Sequence, residues 1–169
     1  MAEYQPPANV VPIAPGKKMA DMLAAGEVAA AIGIEVDSPD VKPLISDAQE
    51  AGLAALRRRG HYPINHTVVV KDDLLAAHPD LAVDIFNAFA EAKRLYVERL
   101  KAGAIEKPTE IDRLHQRVMA LTGDPLPHGI APNRVVLEEL IRHSLSQGII
   151  TRPVTVDELF APGTRELKA

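Results

Sequence analysis

The sequence contains no cysteine, which removes a whole group of structures and chemistries. Disulfides, thiolate metal sites and cysteine nucleophiles are excluded, whatever compartment the protein occupies. No segment approaches the roughly 18 uninterrupted apolar residues that a bilayer-spanning helix needs, so membrane insertion is not expected. Residues 1–15 contain no basic stretch followed by an apolar run, which is the pattern of a secretion signal. We therefore expect a cytoplasmic protein.

The sequence also has no excess of basic residues. Lysine and arginine number 19, aspartate and glutamate number 23, and the formal net charge is -4. A surface for nucleic acid usually needs a basic excess on one face, so nucleic acid is not an expected partner. Of the 169 residues, 47% are hydrophobic and 25% are charged, which is typical of a globular domain with one core.

Helix patterns dominate the chain after a proline-rich beginning. Residues 1–16 hold several prolines and are predicted to be an extended lead-in. Helices are predicted where apolar residues recur at helical spacing or where a capping box marks a start. They cover residues 17–25 with Gly26 as the stop, a segment from the Ser46 and Gln49 capping box to Gly60, residues 79–101, 109–121 and 132–147, and a short turn opened by Thr155 and Glu158.

Strand patterns are few. Residues 28–34 form a continuous apolar run, and residues 66–70 are β-branched, bounded by Pro63 and by the pair Asp72 and Asp73. Two or three strands beside five or six helices cannot form a complete doubly wound domain. We therefore predict an α/β fold that is helix-rich, has few strands and is only part of a complete sheet.

A first polar loop, residues 57–66, runs from a helix end into a predicted strand. Ligands of open α/β proteins bind in crevices between such loops. Arg59 either caps its helix through the dipole or binds an anion. His66 is either a hydrogen-bonded structural residue or an acid, a base or a ligand contact. Asn65 suits a turn before the strand or a ligand contact.

A second polar loop, residues 123–134, leads into a helix start and contains His128. Asp124 precedes a proline, as turn-initiating residues often do. Arg134 stands at the helix start, where a cation is unfavourable unless an anion is near. Either an ion pair with Asp124 or a carboxylate substrate would satisfy Arg134. The chain has no His-Glu-x-x-His spacing, Gly-rich phosphate loop or Ser-centred nucleophile elbow, so no metal or cofactor is predicted.

Several segments resemble one known family and occur in its order. They are MLAAGE (residues 22–27), YPINHTVVVKD (62–72), HPDLA (78–82), FAEAK (89–93), DPLPHG (124–129) with Asn133 and Arg134, QG (147–148) and DELFAP (157–162). Together they resemble the 4,5-dihydroxyphthalate decarboxylase family, whose fold is that of type II periplasmic binding proteins. Many members of that family are labelled as transporter substrate-binding proteins.

The resemblance implies that residues 17–169 are the C-terminal half of a two-lobed fold. Residues 17–60 would belong to the second lobe, and residues 61–169 would supply a crossover strand and the C-terminal helices. Family members are longer, so we expect a homodimer or a companion chain that supplies the missing half. Asn65 stands where a methionine is expected and His128 where a tyrosine is more usual, so the ligand can differ from that in the family name.

The resemblance also implies loss of carbon dioxide from a hydroxylated aromatic carboxylic acid without a redox cofactor, which is the work of a carboxy-lyase. That reaction needs a proton donor, a cation for the carboxylate and contacts for the ring hydroxyls. The hypothesised roles are His66 as general acid/base, Arg59 and Arg134 as carboxylate anchors, His128 with Asn65 as hydroxyl contacts, and Asp124 as a further substrate-binding residue. The alternative is a non-catalytic ABC transporter substrate-binding protein for a small organic anion, since one fold serves several functions.

Overall fold

The computed structural model describes residue 6, residues 8–60, residue 62 and residues 64–169. The predictions that involve Pro7, His61, Pro63 and the first five residues therefore lie partly outside the described residues. The chain divides into two units, Met1–Ala51 and Gly52–Ala169. Its helices are α1 (Met19–Ala24), α2 (Ala48–Arg59), α3 (Asp72–Ala77), α4 (Leu81–Lys101), α5 (Glu110–Thr122), α6 (Arg134–Ser146) and α7 (Val156–Leu159), with 3-10 turns at Ala131–Asn133 and Pro162–Thr164.

The first unit contains the predicted first helix and its predicted stop. α1 ends at Ala24, and Gly26 adopts a left-handed conformation with φ of 72°. The amide of Glu27 then bonds back to the carbonyl of Met22, which closes the end of the helix. An ion pair between Lys17 and Glu27 spans the helix. The helix predicted over residues 17–25 is confirmed.

The predicted strand over residues 28–34 is not formed. These residues adopt bends and irregular backbone, and the side chain of Ile32 is fully exposed. A strand is stable only beside a hydrogen-bonded neighbour. Within the described part of the chain, the backbone of this segment bonds only at Val28, whose amide reaches Met22. The apolar run of residues 28–34 therefore does not form a strand.

The second predicted strand, residues 66–70, is not formed either. The segment is irregular, and Val68 and Val69 are 60% and 87% exposed. No backbone hydrogen bond joins it to another segment that the structure describes. Among the described residues, strand-like pairing is confined to one isolated antiparallel bridge between Gly129 and Lys168. The segment leads directly into α3, which begins at Asp72.

The helix starts show which local signals were read correctly. Both hydrogen bonds of a capping box are present at Thr109 with Asp112 and at Thr155 with Glu158, and the second of these boxes was predicted. The Ser46 and Gln49 prediction is wrong by one residue, because the Asp47 carboxylate accepts the amide of Glu50. A carboxylate at the N-cap is a strong acceptor that also complements the helix dipole.

Two other starts lie slightly later than predicted. α4 begins at Leu81, after a turn that contains Pro79, whereas Pro79 was predicted as its first residue. α6 begins at Arg134, and the 3-10 turn Ala131–Asn133 occupies the place of the first predicted turn. A proline has no amide for the helix ladder, so it is compatible with either the turn or the start.

Two small cores hold the second unit together. Leu53 and Leu56 of α2 pack with Val118 of α5, and Tyr62 and Leu114 cover this first core. The second core consists of Ile130, Leu137 and Val156, covered by Ile64, Ile141 and Phe160. Residues 123–130 connect α5, which contributes to the first core, with Ile130, which belongs to the second. The loop that was predicted to bind substrate is therefore anchored at both ends.

Candidate functional site

The loop after α5 is folded tightly by its own sequence. Gly123 takes the left-handed conformation that ends α5, with φ of 83°. The Asp124 carboxylate then accepts the amide of Leu126 through Oδ1 at 3.0 Å, which is a turn closed by the aspartate side chain. Pro125 is fully buried between these residues. The turn predicted from Asp124 is confirmed, and it leaves the second carboxylate oxygen available for another partner.

That second oxygen binds Lys93 of α4. The Nζ of Lys93 lies 2.6 Å from Oδ2 of Asp124, and the Lys93 side chain is only 10% exposed. An ammonium group so far removed from water requires an anionic partner. An ion pair between Asp124 and Arg134 was one of the two alternatives that the sequence left open for Arg134, and the structure does not form it. Arg134 instead bonds to Asp157 at 2.9 Å, and a carboxylate oxygen of Glu138 lies 3.9 Å away.

His128 lies beside this ion pair and is half-buried. Burial lowers the pKa of its imidazole, the positive charge of Lys93 lowers it further, and the carboxylate of Asp124 opposes both. The ring is therefore neutral at pH 7, with one nitrogen that donates and one that accepts a hydrogen bond. A neutral half-buried imidazole next to a cation can accept a proton from a ligand hydroxyl or hold that hydroxyl in place.

The backbone around His128 is fixed on both sides. The Asn133 amide donates to the carbonyls of Pro127 and Gly129, each at 2.8 Å, and Asn133 is 7% exposed. The His128 amide and carbonyl both pair with Ala169, at 2.9 and 3.2 Å. The imidazole is consequently presented by a backbone that has little freedom to move.

The phenol of Tyr62 lies within reach of the Asp124 charge. It packs against the first core, and its pKa is raised by burial and then by the negative charge of Asp124. The charge of Tyr62 would in turn raise the pKa of Tyr96 on α4. Lys93, Asp124, His128 and Tyr62 therefore form one mixed polar cluster, which we call the Lys93 cluster.

A second polar group adjoins it between α4 and α5. The Tyr96 hydroxyl donates to Asp112 Oδ1 at 2.7 Å, and His115 Nδ1 lies 2.9 Å from the same hydroxyl. A hydroxyl has one proton, so Nδ1 of His115 carries the hydrogen that Tyr96 accepts. Burial, followed by the bond to Asp112, raises the pKa of Tyr96 to about 12. These bonds fix the two helices that position Lys93 and the loop.

The acid stability of the chain should depend on Asp112. Hydrogen bonds from Tyr96 and then from Thr109 lower its pKa from the ordinary 3.8 to about 2. The carboxylate therefore contributes stability that is complete above pH 3.8 and is lost as the pH falls towards 2. We expect Asp112→Asn to flatten this loss in urea unfolding measured from pH 5 to pH 2. Asp37→Asn, which removes an exposed carboxylate, should leave the slope unchanged, and equal slopes in all three proteins would refute the assignment.

The other predicted site residues do not join the Lys93 cluster through any hydrogen bond or ion pair among the described residues. Arg59 lies exposed in the last turn of α2, and Asn65 and His66 are exposed in the irregular segment before α3. Arg134 lies on the rim of an open groove of about 800 Å³ that Ile141 and Asp157 also line. Of the six predicted residues, the structure brings together Asp124 and His128.

Lys93 and Tyr62 were missed as site residues from the sequence. Lys93 stands four residues before Val97 and seven before Leu100, both buried on α4, so it occupies a position on the apolar stripe. A lysine on such a stripe is a recognisable signal, because its charge needs a buried partner. The described residues contain no group of three or more histidine, aspartate or glutamate side chains that could hold a metal ion.

Comparison with known proteins shows a partial similarity to a curated protein. The chain is 29% identical over 160 residues to a curated protein of Comamonas testosteroni named 4,5-dihydroxyphthalate decarboxylase, and the match covers 89% of this chain and 48% of that protein. The chain thus spans about half the length of the curated relative that it matches. No protein-family model and no solved structure matches the chain. In the part of the chain that the structure describes, no helix is both long and apolar enough to cross a membrane.

Proposed function

We propose that this chain binds a hydroxylated aromatic carboxylic acid and takes part in its decarboxylation. The observation that carries the proposal is the Lys93 cluster, in which a shielded cation is paired with Asp124 and the charge of Asp124 also acts on the imidazole of His128 and the phenol of Tyr62. The similarity to a protein named 4,5-dihydroxyphthalate decarboxylase supports the same chemistry. The matched segment is about half of that protein, so we also propose that the chain acts as the C-terminal half of a two-lobed fold.

The reaction breaks the bond between the ring and a carboxylate carbon. Carbon dioxide leaves, its bonding electron pair stays with the ring, and a proton is delivered to the ring carbon that carried the carboxylate. A ring hydroxyl that gives up its proton supplies electron density for protonation of that carbon, and it regains the proton when the aromatic ring is restored. The neutral imidazole of His128 suits this hydroxyl contact, because it can accept the proton and return it.

His66 is proposed as the acid that protonates the ring carbon. Its side chain is exposed, and no hydrogen bond or ion pair to another described residue holds it. Asn65 beside it is proposed as a second hydroxyl contact, and Arg59 and Arg134 are the carboxylate anchors that the sequence resemblance suggests. An exposed His66 needs a second wall that excludes water during the reaction. A second copy or a companion chain is the proposed source of that wall.

The proposal is tested with the purified chain and 4,5-dihydroxyphthalate labelled with carbon-13 in its carboxylates. We expect saturable thermal stabilisation by the compound, because a ligand that binds only the folded state raises its stability. We also expect labelled carbon dioxide and a product with one carboxylate fewer, both followed by NMR. His66→Ala should lower the rate by roughly 100-fold or more, as is usual when a general acid is removed.

His78→Ala is the matched control, because His78 is an exposed histidine at the end of α3. Its rate should equal that of the unmodified chain. An unchanged rate in His66→Ala would remove His66 from the mechanism. Stabilisation without release of carbon dioxide would show a binding half that does not catalyse the reaction alone. The absence of both stabilisation and carbon dioxide release would overturn the proposed function.

A further inference from the structure

We infer that Lys93 is the cation that receives the ligand's carboxylate, and that Asp124 occupies this cation until the ligand displaces it. The inference rests on the proposed function and deepens it. It transfers the anchoring role from Arg59 and Arg134 to a lysine for which the sequence pattern assigned no role. It also changes the role of Asp124 from a ligand contact to a competitor of the ligand.

The surroundings of Arg59, Arg134 and Lys93 favour Lys93 as the cation that binds the ligand's carboxylate. Arg59 is exposed, and the Arg134 side chain is 45% exposed and bonded to Asp157. The Lys93 side chain is 10% exposed. The attraction between a cation and a carboxylate is weak in water and grows as water is excluded. A ligand carboxylate therefore gains more from Lys93 than from either arginine.

The surroundings of Asp124 allow it to release Lys93. Its side chain is 38% exposed, and its Oδ1 is held separately by the amide of Leu126. Loss of the bond from Oδ2 to Lys93 would leave the carboxylate with that backbone bond and with water. A lysine ammonium has three donor hydrogens, so it can bond the arriving carboxylate before it leaves Asp124. The exchange replaces one charge pair by another, so Lys93 has an anionic partner throughout.

The neighbours of Lys93 match the rest of an aromatic hydroxy acid. His128 and Tyr62 lie close enough to Asp124 for its charge to act on both. With His128 and Tyr62 neutral, the charges of Lys93 and Asp124 cancel, so the resting cluster offers little net attraction to an anion. Removal of the Asp124 charge should therefore strengthen binding, whereas removal of the Lys93 charge should weaken it.

The experiment is isothermal titration of the full chain with 4,5-dihydroxyphthalate. We expect Lys93→Gln to weaken binding at least about tenfold, the usual scale for a lost charge-assisted hydrogen bond. Asp124→Asn should strengthen binding severalfold, and the double variant should bind as weakly as Lys93→Gln alone. Lys101→Gln is the matched control, since it removes an exposed lysine from the same helix.

The outcomes separate the inference from the proposed function. No binding by the unmodified chain would overturn the proposed function. Binding that is lost in Arg134→Gln but kept in Lys93→Gln would overturn the inference and leave the function standing. Weaker binding in Asp124→Asn would overturn the competitor role. If Lys93→Gln fails to fold, Asp124→Asn and Lys93→Arg test the inference instead. Lys93→Arg keeps the charge and Asp124→Asn removes the competing carboxylate, so weak binding in both variants would contradict a role of the Lys93 charge.

Discussion

Replacement of Gly129 by alanine is expected to lower the free energy of unfolding by roughly 3 kcal/mol or more. Gly129 has φ of 103°, a conformation that residues with a side chain rarely adopt. An added Cβ would lie 2.2 Å from the backbone oxygen of Leu167 and 3.1 Å from Cα of Lys168. Neither atom belongs to a flexible side chain, so the backbone itself must move. Urea unfolding followed by circular dichroism measures the loss.

Gly148→Ala is the matched control for this prediction. Gly148 also has a positive φ, of 69°, but an added Cβ meets no atom within 4 Å. Its substitution should cost only the left-handed conformation, about 1 to 2 kcal/mol. The difference between the two variants isolates the collision with residues 167 and 168. Equal losses would mean that the contact between this segment and the loop is not formed in solution.

The helices could be predicted because their signals are local. The apolar stripe of α4, the capping box at Thr155 and the glycine stop after α1 each act within a few residues. The strands could not be predicted in this way. Val68 and Val69 have the right side chains for a strand, but a strand also needs a hydrogen-bonded neighbour that local sequence does not reveal.

The site was predicted in part for a related reason. Asp124 and His128 lie in one loop, so their proximity follows from the sequence itself. Lys93 is 31 residues away from Asp124 and reaches it only because α4 and α5 pack together. For Arg134 the sequence left open an ion pair with Asp124 or a carboxylate substrate, whereas the packing of α6 against α7 supplies Asp157. The residue types were informative, but the pairing depended on tertiary contacts.

Replacement of Asn133 by leucine is the second large effect that we expect. Leucine has the same number of side-chain heavy atoms as asparagine, in the same branched arrangement, but no donor, so the carbonyls of Pro127 and Gly129 would lose their partner. Because Asn133 is 7% exposed, water reaches these carbonyls poorly. Two buried acceptors without a partner should lower the free energy of unfolding by roughly 2 to 4 kcal/mol. The same variant should let the loop around His128 open.

Loop opening has a signature that a general loss of stability does not produce. Burial is the largest cause of the lowered pKa of His128, so a more exposed ring should titrate at a higher pH, nearer its ordinary value. Titration of the histidine resonances by NMR, under conditions where the variant is folded, measures this shift. The exposed Asn87 of α4 provides the control, since Asn87→Leu should change stability by less than about 0.5 kcal/mol. An unchanged His128 titration in Asn133→Leu would show that Asn133 stabilises the chain without positioning the imidazole beside Lys93.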